Sequence, residues 1–261
     1  MAGKKLAAER RQLLSRRLAE QGAVAVGEMA RTFGVSTETI RKDLIFLEQQ
    51  GLALKSHGGA IPAGELLERP TAIKGTENPE AKRGIARAAH ELIPDDAIVL
   101  IDAGSTNYAL AQLLVEREGM TVFTNSVPIM SLLGLTGNSV FCLGGALRPS
   151  SMAAAGAWAV DAVRSIRVDI AFLGTDGFNG LAGPSTASYE EVQFKSAVVQ
   201  SSTSTVVLGD HSKFGYRGLF QFCSWPDIYA LVTDSGIPQQ EVTSIGQQTR
   251  VIVAESAATT P

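Results

Sequence analysis

The sequence has few residues of the types that bind metals or close disulfides. It contains two cysteines and three histidines, and neither set has the spacing of metal ligands. Cys142 and Cys223 both stand in apolar segments, which predicts buried free thiols. Aromatic residues make up only 6% of the chain, and we expect Trp158 and Trp225 in the core. The sequence therefore predicts no metal site and no cofactor.

A long hydrophobic run is also missing. The longest apolar stretches, such as AIVLIDAG at 97–104, are too short to cross a bilayer, and the charged N-terminus is not followed by the apolar core of a signal peptide. These absences argue against a membrane partner and predict a cytoplasmic protein. Because 45% of the 261 residues are hydrophobic and 19% are charged, the composition is that of a globular protein with room for two domains.

Charge is divided unevenly along the chain. Residues 1–62 contain ten Lys or Arg against six Asp or Glu, a net charge of +4, whereas the remaining residues contain thirteen against twenty, a net charge of −7. A basic end on an acidic chain indicates a local nucleic-acid surface. The first residues suit a helix near a phosphate backbone, although a solvated helix explains any one of them equally well. These basic residues are Lys4, Lys5, Arg10, Arg11, Arg16 and Arg17.

Two short predicted helices follow, joined by a tight turn. The segment GEMARTF at 27–33 precedes the turn GVS, in which Ser36 is placed to cap the second helix by accepting a bond from a free amide. In that helix Ile40, Leu44 and Leu47 form one apolar stripe that packs inward. Short polar and cationic side chains at its start predict helix-turn-helix geometry. The candidate DNA-binding residues are Ser36, Thr37, Glu38, Thr39, Arg41, Lys42, Lys55 and His57.

A predicted ribbon comes after the second helix. Gly51 ends the helix, and the alternating segment LALKSHGGAI at 52–61 predicts a small β-ribbon, a wing that carries Lys55 and His57. A charged outer face is also typical of a solvated helix pair. The combination of serine cap, glycine stop and basic ribbon favours DNA binding.

The N-terminal segment at 10–61 resembles the winged helix of the DeoR family of bacterial transcriptional regulators. The resemblance rests on TIRKDL at 39–44 and LEQQGLALKSHGGA at 47–60. Lys42 stands where the family more often has arginine, and Lys55 is likewise a lysine in the wing. Lysine keeps the charge that holds a phosphate but loses the bidentate fork of arginine. We therefore expect both lysines to contact the DNA backbone and not to distinguish bases.

From Glu80 onwards, apolar segments alternate with helical ones. Continuous apolar strands between helices predict a mostly parallel sheet covered on both faces, an α/β fold. In such sheets ligands bind at the carboxyl ends of the strands. The polar and glycine residues at these predicted strand ends are Asp102, Thr124, Asn125, Gly144, Gly145, Asp176 and Asp210.

The segment IDAGST at 101–106 joins a strand end to a helix start. Gly104 permits a close backbone approach, while Ser105 and Thr106 supply hydroxyls beside the free N–H groups of the helix, which suits an anion. Serine and threonine are also ordinary helix caps, so the segment alone fits a ligand loop and plain capping equally well.

Two more strand ends favour the ligand loop. Asp176 follows one predicted strand, and Asp210 follows another, with Lys213 three residues later as a counter-charge for an anion. On a helix between them, Glu191 and Lys195 are four residues apart, either as a surface ion pair or as a pair that faces the site.

IDAGST, LGGALR, FLGTDGF and GDHSKFG also resemble, in order and spacing, the C-terminal effector domain of the DeoR family, which is similar to ribose-5-phosphate isomerase. This resemblance implies a sensor of phosphorylated sugars. The residues implied to hold the phosphate are Gly104, Ser105, Thr106 and Lys213. Those implied to face the hydroxyls or the carbonyl end of the sugar are Asp102, Asn125, Asp176, Glu191 and Lys195. Arg148 either reaches the ligand or braces its own loop.

The expected organisation is a winged helix-turn-helix domain at 1–62, a linker at 63–79, an effector-binding domain at 80–255 and a disordered tail at 256–261. We expect a sequence-specific regulator, a repressor of a carbohydrate catabolic operon, that binds double-stranded operator DNA as a dimer or higher homo-oligomer. A phosphorylated sugar would release it by shifting the population of its two states. Activation stays an alternative, and the second candidate is a sugar-phosphate isomerase with an accessory DNA-binding head. We expect no catalytic residues.

Overall fold

The protein is described by a computed structural model that divides into two compact units, Met1–Pro70 and Thr71–Pro261. The residues that the structure describes are 7–21, 24–49, 52–56, 58–62, 70–178, 182–215 and 220–255. Of residues 19–21, 54–56 and 61–62 only the backbone is described. Within these ranges no helix is both long and apolar enough to span a bilayer.

The first unit packs three helices on a small sheet. Its elements are α1 Ala7–Gln21, β1 Val24–Ala25, α2 Val26–Phe33, α3 Thr37–Gln49, β2 Ala53–Ser56 and β3 Gly59–Pro62. Strand β3 lies between β1 and β2 and is antiparallel to both, so β2 and β3 form the predicted wing.

The turn between α2 and α3 is built as the sequence predicts. Gly34 adopts a left-handed φ of 63°, which ends α2. The Ser36 hydroxyl accepts a bond of 3.1 Å from the Thr39 amide and so caps α3. The apolar stripe of α3, including Ile40 and Leu47, is buried against the other helices.

The second unit alternates strands and helices around one central sheet. Its helices are α4 Thr71–Gly75, α5 Pro79–His90, α6 Ser105–Leu113, α7 Val127–Leu133, α8 Ala157–Arg164, α9 Tyr189–Ser201 and α10 Gln239–Gly246. Its strands are β4 Ile98–Ile101, β5 Thr121–Thr124, β6 Ser139–Cys142, β7 Ala146–Arg148, β8 Ala153–Ala155, β9 Val168–Gly174, β10 Gly177–Phe178, β11 Pro184–Thr186, β12 Ser202–Leu208, β13 Phe220–Gln221, β14 Ala230–Asp234 and β15 Arg250–Ala254.

The central sheet has seven strands in the order β15-β14-β12-β9-β4-β5-β6, and every neighbouring pair is parallel. Two apolar layers cover its faces, one with α5 and α6 and the other with α8 and α9. The predicted α/β fold class is confirmed. The chain runs outwards from β4 in one direction through β5 and from β9 in the other. The carboxyl ends of β4 and β9 therefore border the crevice in which such sheets bind ligands.

The structure differs from the sequence prediction at the start of the second unit. Residues 71–75 form helix α4, inside the stretch that we predicted to be the linker 63–79. Helix α4 packs against α6 and belongs to the second unit. Residues 63–69 of the linker and the predicted tail at 256–261 lie outside the described residues.

Two predictions about the core were wrong. Cys142 is exposed, because β6 forms the edge of the sheet, although both cysteines are free as predicted. Trp158, in the first turn of α8, is 80% exposed, whereas Trp225 is fully buried. All of these residues stand in apolar segments of the sequence. Such a residue is buried only where another helix or strand of the fold covers it.

Candidate functional sites

The start of α3 presents a polar surface in the first unit. Thr37, Lys42 and Ser36 are exposed, and Thr39 is half-buried with its hydroxyl 2.8 Å from that of Ser36. Glu38 and Arg41 form an exposed ion pair of 3.5 Å. The backbone of Lys55 lies in β2, but its side chain and all of His57 lie outside the described residues.

Two basic residues of α1, Arg10 and Arg11, form ion pairs within the first unit. Asp43, on the inner side of α3, is 1% exposed. Its two carboxylate oxygens accept bonds from Arg10 at 2.5 Å and Arg11 at 2.8 Å. The Arg11 guanidinium also lies 4.0 Å from the centre of the Phe46 ring. Arg10 and Arg11 therefore tie α1 to α3, a role that neither alternative for the basic residues included.

In the second unit, the carboxyl end of β4 carries a buried ion pair. Asp102 accepts a bond from the ammonium of Lys195 on α9 and a longer one, 3.4 Å, from the Gly174 amide. Lys195 also donates to the Gly174 carbonyl at 2.8 Å. Burial alone lowers the pKa of Lys195, but Asp102 and other carboxylates around it raise the pKa above its ordinary value. This lysine stays charged.

Asp176, after β9, is held from three sides. Its carboxylate lies 2.5 Å from the ammonium of Lys74 on α4 and accepts bonds from the Thr186 hydroxyl at 3.1 Å and the Ala187 amide at 2.9 Å. Burial alone raises the pKa of Asp176, but Lys74 and the Ala187 amide hold it well below its usual range.

Glu191, on α9, belongs to the same group. Its carboxylate accepts a bond from the Thr186 hydroxyl, which also contacts Asp176, and lies 3.4 Å from the Arg148 guanidinium. Glu191 and Lys195 therefore both face this site, the second of the two alternatives that their spacing allowed. Arg148 contacts Glu191 from β7, which places it beside the group.

Asp210 lies after β12 and is 1% exposed. Lys82 of α5 lies 3.1 Å from its carboxylate, and the Asn78 amide group donates to it at 3.1 Å. Burial raises the pKa of this carboxyl, but the Ser212 hydroxyl and the charges of Lys82 and Lys213 lower it to about 2.

Lys213 differs from the other lysines of this region. Lys74, Lys82 and Lys195 each contact a carboxylate, whereas no carboxylate of the described residues lies within ion-pair distance of Lys213. Burial and the nearby charge of Lys74 lower the pKa of Lys213 to about 8, although two carboxylates act in the opposite direction.

The start of α6 opens into a cleft of about 480 Å³. Gly104 has a φ of 140°, which favours glycine, and Ser105 is the first residue of the helix. Both line the cleft together with Lys82, while Thr106 is buried behind them. The N–H groups at the helix start and the Ser105 residue thus border one space that can accept an anion, with Lys82 in its wall.

The other predicted site residues lie behind this loop. The Thr124 hydroxyl donates to the Ile101 carbonyl at 2.6 Å, and Asn125 accepts a bond of 3.1 Å from the Ala103 amide. Gly145 approaches the Ala155 backbone so closely that a Cβ atom would lie 2.3 Å from its carbonyl oxygen, whereas Gly144 has open space around it. In this structure Thr124, Asn125 and Gly145 support the backbone around the crevice.

Sequence reasoning missed three residues that pair with the strand-end carboxylates, Lys74, Asn78 and Lys82. Lys82 carried a signal, because it shares the apolar face of α5 with Ile85, Ala86 and Ala89 and is itself 5% exposed. A lysine within an apolar stripe indicates a buried partner. Lys74 carried none, since a five-residue helix shows no periodicity.

Comparison with known protein families identifies the two units. The model of the DeoR-like helix-turn-helix domain matches residues 10–63, and the model of the DeoR C-terminal sensor domain matches residues 77–235. The chain belongs to the DeoR family. Its predicted function, a DNA-binding transcriptional regulator with a sensor domain, is therefore confirmed, and the family to which it belongs senses sugar phosphates.

The chain is similar to two known repressors over most of their length. The chain is 32% identical over 234 residues to the putative aga operon transcriptional repressor of Escherichia coli O157:H7, covering 88% of this chain and 87% of that protein. It is 30% identical over 220 residues to the glycerol-3-phosphate regulon repressor of Escherichia coli K12, covering 84% of this chain and 87% of that protein. These similarities do not favour the isomerase alternative.

Among solved structures, ribose 5-phosphate isomerase A from Methanocaldococcus jannaschii matches with a TM-score of 0.40 and 21% identity. The match covers 53% of this chain and 55% of that chain. A likeness of this size carries no inference about activity.

Proposed function

We propose that this DeoR-family regulator is a repressor that a phosphorylated sugar releases from its operator, and that the phosphate binds at the start of α6. The observation that carries the proposal is Lys213, a half-buried lysine whose ammonium has no carboxylate partner among the described residues. Lys213 lies near Lys74 and Lys82, and Lys82 lines the cleft with Gly104 and Ser105.

The charges of the crevice support an anionic ligand. Asp102 is paired with Lys195, Asp176 with Lys74 and Asp210 with Lys82, so the charges of these three pairs cancel. The charge of Lys213 remains. A phosphate would offset this charge and the mutual repulsion of the neighbouring lysines, while it accepts bonds from the free N–H groups of α6.

The carboxylates suit the rest of the ligand. Asp102, Asp176 and Glu191 lie around the crevice and are acceptors for sugar hydroxyls. We propose Gly104, Ser105, Thr106 and Lys213 for the phosphate, and Asp102, Asn125, Asp176, Glu191 and Lys195 for the sugar, with Lys82 and Lys74 added to the basic side.

We propose no catalytic activity for this site. A general acid or base acts best with a pKa near the working pH. The pKa of Asp176 is held below its usual range and that of Lys195 is raised above it, so neither group exchanges a proton near neutrality. Lys213 has a pKa of about 8, and we assign its charge to the phosphate of the ligand. Fixed charges of this kind support binding better than proton transfer.

For DNA, we propose that Ser36, Thr37 and Thr39 approach the bases and that Lys42 contacts the backbone, with Lys55 and His57 in the wing. The exposed start of α3 supports this arrangement. Two copies of the chain would bind a palindromic or repeated operator, so we propose a homo-oligomer.

The proposal is tested by fluorescence anisotropy of the full chain on a duplex that the protein itself selects from random sequence. Glycerol 3-phosphate, ribose 5-phosphate and fructose 6-phosphate are added, with glycerol, ribose and fructose as controls. We expect at least one phosphate ester to weaken DNA binding while its parent compound has no effect. Lys213→Met should abolish this response, and Arg164→Met, which removes an exposed charge on α8, should keep it.

A thermal-shift measurement on the same panel separates binding from coupling, because a ligand of the folded state raises the melting temperature by mass action. An ester that raises the melting temperature of wild type and Lys213→Met equally would contradict the proposed phosphate position. Parent sugars that act as well as their esters would contradict the phosphate itself.

A further inference from the structure

Helix α4 is weakly attached to the sensor domain. None of its five residues is buried. Apart from bonds that Thr76 and Glu77 donate to its last carbonyls, its described polar contacts outside the helix are the Thr71 amide, which donates to the Ser150 carbonyl at 2.8 Å, and the ion pair of Lys74 with Asp176. An element without a buried apolar anchor is drawn from the least stable part of a fold. The Lys74–Asp176 pair is therefore a principal attachment of α4.

The two partners of that ion pair are not equally fixed. Asp176 stays in place without Lys74, because the Ala187 amide also donates to its carboxylate and the Thr186 hydroxyl, which Glu191 shares, lies 3.1 Å from it. Lys74 has a long, flexible side chain and no second acceptor among the described residues. If the pair breaks, Lys74 and α4 are the parts that move.

The end of α4 lies beside the proposed phosphate position. A Cβ atom on Gly75 would lie 4.0 Å from the Cβ of Ser105, the first residue of α6. Gly75 and Ser105 also line the same cleft. Lys74 is close enough to Lys213 to disfavour its charge. An anion at the start of α6 would therefore attract the Lys74 ammonium and compete with Asp176 for it.

We propose that Lys74 is an exchangeable counter-ion, which leaves Asp176 for the phosphate of the ligand and thereby detaches α4 from Asp176. The inference rests on the proposed phosphate position at α6. Once Lys74 has left, Asp176 can accept a bond from a sugar hydroxyl. The complete exchange at Asp176 therefore requires both the phosphate and the sugar of the ligand. A bare anion would move Lys74 without filling the place at Asp176.

The position of α4 in the chain gives this exchange a consequence. Thr71, its first residue, is also the first residue of the second unit, so among the described residues α4 is the first element of the sensor domain. In the proposed exchange, a change in α4 reaches the DNA-binding domain along the chain that precedes Thr71. In this proposal the ion pair is either formed or broken. Both the ligand and the operator shift the equilibrium between these two states, as coupling between two sites requires.

The first test follows α4 itself by hydrogen exchange of the peptide at 70–77 in the full chain. We compare wild type, Lys74→Met, which removes the charge, and Lys74→Arg, which keeps it. Without ligand, exchange should be faster in Lys74→Met, on the order of tenfold, and near wild type in Lys74→Arg. Glycerol 3-phosphate or another ester found active should accelerate exchange in wild type and change little in Lys74→Met. Slower exchange with ligand would mean that α4 closes over it, which overturns the proposal.

The second test measures operator affinity without any ligand. Because Lys74→Met imitates the detached state, it should bind the selected duplex more weakly than wild type, on the order of tenfold, whereas Lys74→Arg should not. Since α4 has no buried residue, we expect all three variants to fold, which their melting temperatures check. Unchanged operator affinity in Lys74→Met, together with weaker ester binding, would make Lys74 a ligand contact only and overturn the exchange.

These tests separate the proposal from the function on which it rests. If no ester binds wild type, the proposed function fails. The ligand-free comparison of Lys74→Met with Lys74→Arg still decides whether the ion pair controls α4 and the operator affinity. If esters bind and release the operator normally in Lys74→Met, the exchange fails and the proposed function stands.

Discussion

The two domains bury charged groups in opposite ways. In the winged helix, one carboxylate, Asp43, accepts bonds from two guanidinium groups, of Arg10 and Arg11. In the sensor domain, four lysines surround three strand-end carboxylates, and the fourth lysine, Lys213, has no carboxylate within ion-pair distance among the described residues. Both cations of the first arrangement contact a carboxylate, whereas in the second the ammonium of Lys213 contacts none among the described residues.

This difference indicates what each set of charges does. A satisfied buried ion pair specifies the geometry of the elements that it joins, here α1 and the recognition helix α3. A buried cation without a partner is unfavourable until a ligand supplies the missing charge. We therefore expect that removing a paired charge from either domain lowers stability, whereas removing the charge of Lys213 lowers ligand binding and leaves stability nearly unchanged.

The largest expected effect is on the winged helix. Asp43→Ala leaves the nearly buried guanidinium of Arg10 without its partner, and we expect a loss of about 3 to 5 kcal/mol in the free energy of unfolding of this domain. Urea denaturation of the full chain measures it, and ester binding by the sensor domain should be unchanged. Arg31→Ala, an exposed position on α2, serves as the control and should change stability by no more than about 0.5 kcal/mol. Equal stability of the two variants would contradict a structural role for Asp43.

In the sensor domain, the comparison is sharpened by two lysine variants. Lys195→Met removes the main partner of buried Asp102, and we expect a loss of about 3 kcal/mol in unfolding free energy. Lys213→Met should cost no more than about 0.5 kcal/mol, because this ammonium contributes no ion pair to the ligand-free domain. A large loss in Lys213→Met would mean that the lysine has a structural partner.

A smaller effect concerns pH. Because the pKa of Lys213 is about 8 in the ligand-free domain, a bound phosphate, which favours the charged lysine, raises that pKa. The ester then binds with its full affinity below pH 8, where Lys213 is already charged before binding. As the pH rises further the affinity falls, by about tenfold between pH 7 and pH 9. The ester is a dianion at both values, so its own titration contributes little. Calorimetric titration at several pH values measures this slope, which Lys213→Met should remove.

The smallest effect concerns DNA. Lys42→Ala removes a proposed phosphate contact, so operator and random duplex should both bind more weakly, and the slope of log affinity against log salt should decrease by about 1. Fluorescence anisotropy over a range of salt concentrations measures the affinity for each duplex and the slope. If binding to random duplex is kept and discrimination at one base pair is lost, Lys42 contacts a base.

The sequence predicted those parts of the fold that depend on periodicity. The stripe of Ile40, Leu44 and Leu47 and the continuous strands of the sensor domain identified the helices and the sheet. Helix α4 was missed, because it is short, has no buried residue and lies between prolines. The exposure of Trp158 was also missed, since the apolar residues around it do not show which side of α8 is covered.

For the candidate site, the sequence located the strand ends but not their pairing. Asp102, Asp176 and Asp210 were identified because each follows an apolar strand. Their lysine partners come from α4, α5 and α9, so the distance in sequence reaches 128 residues for Asp210 and Lys82. Such partners are set by tertiary packing and leave no local pattern, which is also why Arg10 and Arg11 resembled DNA-contacting residues.

The most direct test of the account measures ester and operator affinity, each with and without the other ligand, on the full wild-type chain. Coupling between two sites is reciprocal, so the ester should weaken operator binding and the operator should weaken ester binding by the same factor. In wild type this factor should be well above one, and in Lys213→Met it should fall to about one in both directions. An ester that binds the sensor domain tightly and leaves operator affinity unchanged would contradict it.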